Sequence, residues 1–200
     1  MKAQGRFSRL FGGALAGTWN CDVAAELAEF ALVLPLVVVI FVGIFDFGTA
    51  FTLRDKLTNG AREGTRLAIR QGNSDLGQAA PASVQAIRDT VANYLVNAKV
   101  TTCVIGTTPT KVGGSNGLSW TYNSSSATPA CSNVLLTIDR AYTGSPAVTL
   151  NGSTALMSRV TLTYPYSFLS FHRAVTLVAP GATYAGTITL TAQSVMQNLQ

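Results

Sequence analysis

The acidic groups set in apolar surroundings are the residues of this sequence best placed to do chemistry. Glu29 and Phe30 follow the small pair Ala24 and Ala25 in AAELAEF. If the chain were cut between the two alanines, the new ammonium at Ala25 would lie about 6 Å, one helical turn, from Glu29. A carboxylate there favours a helix N-terminus and, at the hydrocarbon edge, is costly unless paired. The competing reading is a glutamate resting in the lipid headgroup layer. Thiol chemistry rests on Cys103 and Cys131, since Cys21 stands apart. Either they close a disulfide, worth roughly 2–4 kcal/mol in an oxidising compartment, or two buried thiols fill a core. They form no zinc site, because CxxC spacing is missing and His172 is the sole histidine. His172 has no nucleophile elbow or carboxylate pair around it and reads as a surface residue beside Arg173. No GxxxxGK[ST] loop or paired carboxylates occur, so no catalytic residue and no cofactor is expected.

An apolar rod must carry the two acids. The sixteen residues from Phe30 to Phe45 are uncharged, and as far as Leu53 the only charge is Asp46. About 20 apolar residues of helix cross a bilayer core of ~30 Å, so the stretch is long enough to span. Asp46 lies seventeen residues beyond Glu29, about 25 Å along a helix. It is therefore expected at the outer interface, either as an interfacial stop or as an intersubunit contact. Pro35 removes a helical hydrogen bond and should kink the span, and Gly43 allows close approach of another helix. The helix should continue to about Ile69, with Leu53, Leu57, Ala61, Gly64 and Ala68 on one face. Arg62, Arg66 and Arg70 form a basic stripe on another side, which is either solvated or faces anionic headgroups or an acidic neighbour.

At AAELAEFALVLPLVVVIFVGIFDFGTAF, the following LTNGAREGTRLAI and the later VTLTYPYSF, the chain resembles the TadE-like pseudopilins of tight-adherence (Flp, type IVb) pilus assembly systems. The resemblance covers residues 24–70 and, less fully, 157–196, while 71–156 match no known pattern. It implies that a prepilin peptidase removes a cytoplasmic leader, residues 1–24, by cutting between Ala24 and Ala25. Ala24 departs from the family, which usually has glycine there. The resemblance further implies that Glu29 meets the N-terminus of a neighbouring pilin subunit, and that the partners are other pilins or pseudopilins, the inner-membrane assembly platform and membrane lipid. It points to a minor pseudopilin contributing to pilus biogenesis, adhesion or biofilm formation, held by a single pass in the bacterial inner membrane or incorporated into an extracellular pilus. The rival is an uncleaved single-pass envelope protein whose periplasmic β-rich domain binds a ligand or partner.

Charge bears on both orientation and partners. The net charge is +5, of which residues 1–24 contribute +2 (Lys2, Arg6 and Arg9 against Asp22). After residue 100 the only charged residues are Lys111, Asp139, Arg140, Arg159 and Arg173, too sparse for a nucleic-acid footprint. Arg54, Lys56, Arg62, Arg66 and Arg70 follow the span, so a plain positive-inside count would leave the C-terminal part in the cytoplasm. Long domains translocate largely regardless of charge, and the cysteines and the resemblance both favour a periplasmic head.

The expected architecture is therefore α+β. A long N-terminal transmembrane helix with its extension (25–70) continues into a periplasmic pilin-like head (71–200), where a second helix packs on an antiparallel β-sheet. GNSDLGQAA reads as a loop and Pro81 as the first residue of the second helix, ending near Asn97 or Ala98. Val84, Ile87, Val91, Tyr94 and Leu95 should face the sheet, with Arg88 and Asp89 on the wet side. Strands are expected at Val100–Thr107, Asn133–Asp139, Met157–Pro165 and Tyr184–Ser194, with a weaker one near Val175. Within 157–165, Val160, Leu162 and Tyr164 should face the core. Thr108 to Ala130, rich in Gly, Ser, Thr and Pro, reads as an exposed loop whose Trp120 and Tyr122 fold back over the sheet or form a contact patch.

Overall fold

A computed structural model describes residues 21–100, 105–113, 117–124, 134–144, 146–150, 152–168, 173, 175–176, 181 and 187–198. Its first element is a 48-residue helix, α1 (Cys21–Ala68), uninterrupted through Pro35. α2 (Ala82–Asn97) follows. A five-stranded antiparallel sheet has the order β1-β2-β3-β6-β7, built from β1 (Thr110–Val112), β2 (Ser119–Asn123), β3 (Leu135–Tyr142), β6 (Met157–Ser167) and β7 (Thr187–Gln197). A small hairpin, β4 (Thr149–Leu150) with β5 (Ser153–Thr154), fills the connection from β3 to β6. The fold is thus α+β, a long apolar helix and a second helix with an antiparallel sheet.

Strand alternation puts every second side chain on the helix side, and the register aligns these into rows. Trp120, Ile138, Val160 and Ser194 stand opposite one another across four strands, and Tyr122, Leu136, Leu162 and Ala192 form the next row. All eight are buried. The rows end in small residues on β7, so α1 can lie close there, and Thr65 Oγ1 donates to Ala61 O (2.7 Å) and Ser194 O (3.3 Å). Leu57, Ala61 and Ala68 of α1 and Val84, Ile87, Val91 and Leu95 of α2 complete the core. The helices meet at Gly64, where an added Cβ would lie 2.5 Å from Val91 Cγ2, so only glycine permits this approach.

The second half of α1 is thus a wall of the head as much as a stalk beneath it. In α2, Pro81 stands just before the first turn, and the missing cap comes from Asp75, whose carboxylate accepts the Ser83 N–H and hydroxyl, both at 2.8 Å. That backbone hydrogen bond, chiefly, holds the Asp75 pKa below its ordinary value. Its folded pKa being lowered, Asp75 contributes stability above the normal carboxylate range that is lost as pH falls through the folded value.

The C-terminus of α2 closes with Lys99 N–H on Val96 O (3.0 Å) and Val100 N–H on Leu95 O (2.9 Å), a Schellman pair. Lys99 pays for it with a left-handed backbone, φ 57°. A β-carbon costs energy in that region, so Lys99→Gly should stabilise the head by about 1 kcal/mol. Urea denaturation of the detergent-solubilised chain, followed by circular dichroism, measures this, and a lower midpoint would contradict the assignment.

Several expectations are corrected. Ser119–Asn123, read as part of a loop, is a strand, and Trp120 and Tyr122 lie inside the core instead of covering the sheet from outside. The composition around SWTYN masks its period-2 alternation. Of the strand expected at Val100–Thr107, residues 101–104 lie outside the described residues, and among the rest Ile105 makes an isolated bridge to Ser124. Gly106 N–H donates to Asn123 O (2.7 Å), and a Cβ at Gly106 would sit 2.4 Å from that oxygen, so the chain must be glycine to pass. Val175 is helical. Arg88, expected on the wet side, turns inward: Nε donates to Gly106 O (2.8 Å) and Nη2 to Ile105 O (3.2 Å), and a further contact reaches Asp89.

The Tyr122 hydroxyl is buried and has no hydrogen-bond partner among the described residues. Burial pushes its pKa up to about 12. Since an unpaired buried hydroxyl costs about 1–3 kcal/mol, Tyr122→Phe should stabilise by about 1 kcal/mol in the same denaturation measurement, whereas a loss would reveal a bond to that oxygen.

Candidate functional site: an exposed apolar helix and its junction with the head

Whatever α1 does outside the head, it does with side chains that its own chain leaves uncovered. From Leu27 to Phe51 the exposed surface includes Phe30, Leu32, Leu36, Ile40, Phe41, Ile44, Phe45 and Phe47. Within the candidate span Glu26–Ala68 the most apolar 18-residue window has a mean hydropathy of 2.7, and only 6% of it is buried. In length and composition the helix is a candidate membrane span.

The residues singled out from the sequence distribute as follows. Ala24 and Ala25 lie within α1, so the bond between them sits in helix. Glu29 and Phe30 are exposed on the next turn, and Pro35 is exposed further along. Gly43 and Asp46 are buried and, with Ala50, Leu57, Gly64 and Ala68, continue the face that α1 turns to the head. Arg62, Arg66 and Arg70 are exposed, with Arg66 Nη1 on Glu63 Oε1 at 2.9 Å, an i,i+3 pair of little energetic weight. Cys103, Cys131 and His172 lie outside the described residues.

Around Asp46 the head reaches the apolar rod. The Tyr166 hydroxyl donates to Asp46 O (3.2 Å) and lies 2.5 Å from Thr49 Oγ1, which itself donates to Asp46 O at 2.8 Å. The Phe168 ring packs 5.2 Å from Phe47 and edge-on to Tyr166 at 5.1 Å. Tyr166 near the end of β6 and Phe168 just after it thus clasp α1 five to eight residues before its charged stretch begins at Arg54. VTLTYPYSF carried this signal only as a strand pattern.

A polar knot at the other end of the sheet escaped sequence reading altogether. Asp139 and Arg159 are register partners on β3 and β6, joined at 3.2 Å, and the Arg159 guanidinium lies 3.9 Å over the Tyr142 ring. Next to them a bulge between Asp139 and Tyr142 frees the Ala141 N–H, which donates to Asp139 Oδ1 at 3.2 Å. Burial pushes the Asp139 pKa up, against the pull of Ala141 and Arg159. Arg140, its pKa lowered by burial, donates from Nη2 to Gln71 O (2.9 Å) and Asn73 Oδ1 (2.8 Å), tying the bulge to the connection between the helices. This knot is a structural fastening. Among the described residues no group of three or more His, Cys, Asp or Glu is placed to hold a metal ion.

A family model described as TadE-like protein matches residues 25–66. The match begins at the residue after Ala24 and ends two residues before α1 does, so it describes the helix and leaves the head unmatched. No curated protein and no solved structure matches the chain.

Proposed function

With a TadE-like segment over residues 25–66 as the premise, we propose that the chain is a minor pseudopilin of a tight-adherence, Flp-type (type IVb) pilus assembly system. It acts as a non-catalytic structural component. The observation that carries the reading is the division of labour along α1: its second half is core, while the surface from Leu27 to Phe51 is left to lipid or to other helices. In the inner membrane that surface faces acyl chains, and when subunits leave the bilayer the same surface packs against sibling helices. Glu29, exposed one turn beyond Ala25, is positioned to receive an N-terminal ammonium once a prepilin peptidase has removed residues 1–24. The head then stands in the periplasm and meets the assembly platform or neighbouring pilins.

Glu29→Ala is expected to abolish surface pili while leaving the amount of membrane-inserted protein unchanged, read by counting pili and by immunoblotting membranes. Unaltered piliation would favour the uncleaved single-pass protein. N-terminal sequencing of the membrane-extracted chain should begin at Ala25, and a protease added outside spheroplasts should digest the head. An intact Met1, or a head sheltered in the cytosol, would end the pseudopilin reading.

A further inference from the structure

Asp46 is the one charge in the apolar run before Arg54, and a lipid-exposed carboxylate at that level would fix how deeply α1 can sink. The structure gives Asp46 a different setting. It is 8% exposed and lies on the face turned to the head, while Phe45, Phe47 and Phe51 around it are exposed. Along the outward side of the helix, therefore, no charge is met until Arg54 and Asp55.

We propose that the outer boundary of the bilayer meets this chain between Phe51 and Arg54, and that the lower end of the head, at Tyr166 and Ser167, is seated in the lipid interface. Length decides between the two levels. Phe30 to Phe45 measures about 24 Å of helix, short of the ~30 Å hydrocarbon core, whereas Phe30 to Phe51 measures about 33 Å and fits with a slight tilt. The head already overlaps the upper part of that longer span, since Tyr166 is bonded at Asp46 O and Phe168 stacks on Phe47. If Phe51 lies at the boundary, Asp46 and the aromatic residues clasping it lie about 7 Å beneath it. Tyrosine suits that layer, where an apolar ring and a polar end are both accommodated, while Phe168, 3% exposed, is packed inside the clasp on Phe47. Tyr166, with its hydroxyl held by Asp46 O and Thr49, brings no unpaired polar group into it. The partner is thus the boundary between headgroups and acyl chains of a phospholipid bilayer. The inference requires α1 to be a membrane span and is independent of any pilus role.

The test uses the full chain in phosphatidylethanolamine and phosphatidylglycerol vesicles that contain a phospholipid with a photoactivatable diazirine near the glycerol end of its acyl chain. Adducts are located by tandem mass spectrometry. Labelling of α1 as far as Phe51 and of Tyr166 and Ser167, unchanged in Asp46→Asn, is the expected result. Labelling that stops at Phe45 and spares Tyr166 and Ser167 overturns the seating while keeping the span. Absence of label from all of α1 overturns both.

Discussion

Trp120→Ala should destabilise the head by about 3–5 kcal/mol, the range for truncating a fully buried large aromatic side chain. Trp120 has no exposed surface and heads the row that runs through Ile138 and Val160 to Ser194. Among the described residues it is the three-residue strand β1 that flanks it on the outer side of the sheet. Its indole N–H also donates to Ala79 O at 3.2 Å, in the connection just ahead of α2, so truncation leaves that carbonyl in want of a donor. Urea denaturation of the detergent-solubilised chain, followed by circular dichroism, gives the measurement. Trp120→Phe, which keeps one aromatic ring and loses the N–H and part of the volume, should fall between wild type and alanine. A loss below about 1.5 kcal/mol for the alanine variant would mean that the site is less tightly packed than its burial indicates.

The second large effect is expected at Arg159. Methionine there preserves length and removes the cation facing Asp139, whose side chain is wholly buried. Breaking a buried pair from one side costs about 3–5 kcal/mol, and the lower end applies because Arg159 itself is partly exposed. The pH dependence has a definite sign. A carboxyl whose folded pKa lies above its unfolded value lowers stability as the pH rises from the unfolded value to the folded one, after which the loss is constant. Asp139 is already raised by burial, and Arg159 is among the groups that pull it back. Arg159→Met should therefore be most destabilised near neutrality and should recover as the pH falls toward the ordinary carboxylate range. Adding Asp139→Asn should restore part of the loss at pH 7. Midpoints compared across that range test the assignment, and a deficit indifferent to pH would contradict it.

These two positions also show what the sequence made legible. The apolar run of α1, the spacing of Val84, Ile87, Val91 and Leu95 in α2, and the alternation of Val160 and Leu162 each state a local period, and each element formed where its period indicated. Trp120 and Tyr122 alternate just as clearly, but over five residues inside a Gly- and Ser-rich stretch, where composition outweighed pattern. Arg88 was misjudged for a different reason. A guanidinium on a helix is ordinarily wet, and nothing near it in sequence announces that the carbonyls of Ile105 and Gly106 will need a donor. Asp46 is the instructive case for the candidate site. Its charge was visible, but the direction it faces is a tertiary property set by residues more than a hundred positions later.

The placement of Leu57, Ala61, Gly64, Thr65 and Ala68 inside the core has a practical sequel for anyone wishing to handle the head without detergent. Trimming at residue 70, where the hydrophobic rod gives way to a loop, would strip a whole wall from the sheet and lay bare Val160, Leu162 and Ala192. A water-soluble version has to begin upstream of Leu53, leaving behind the greasy portion yet retaining the four helical turns on which the strands rest.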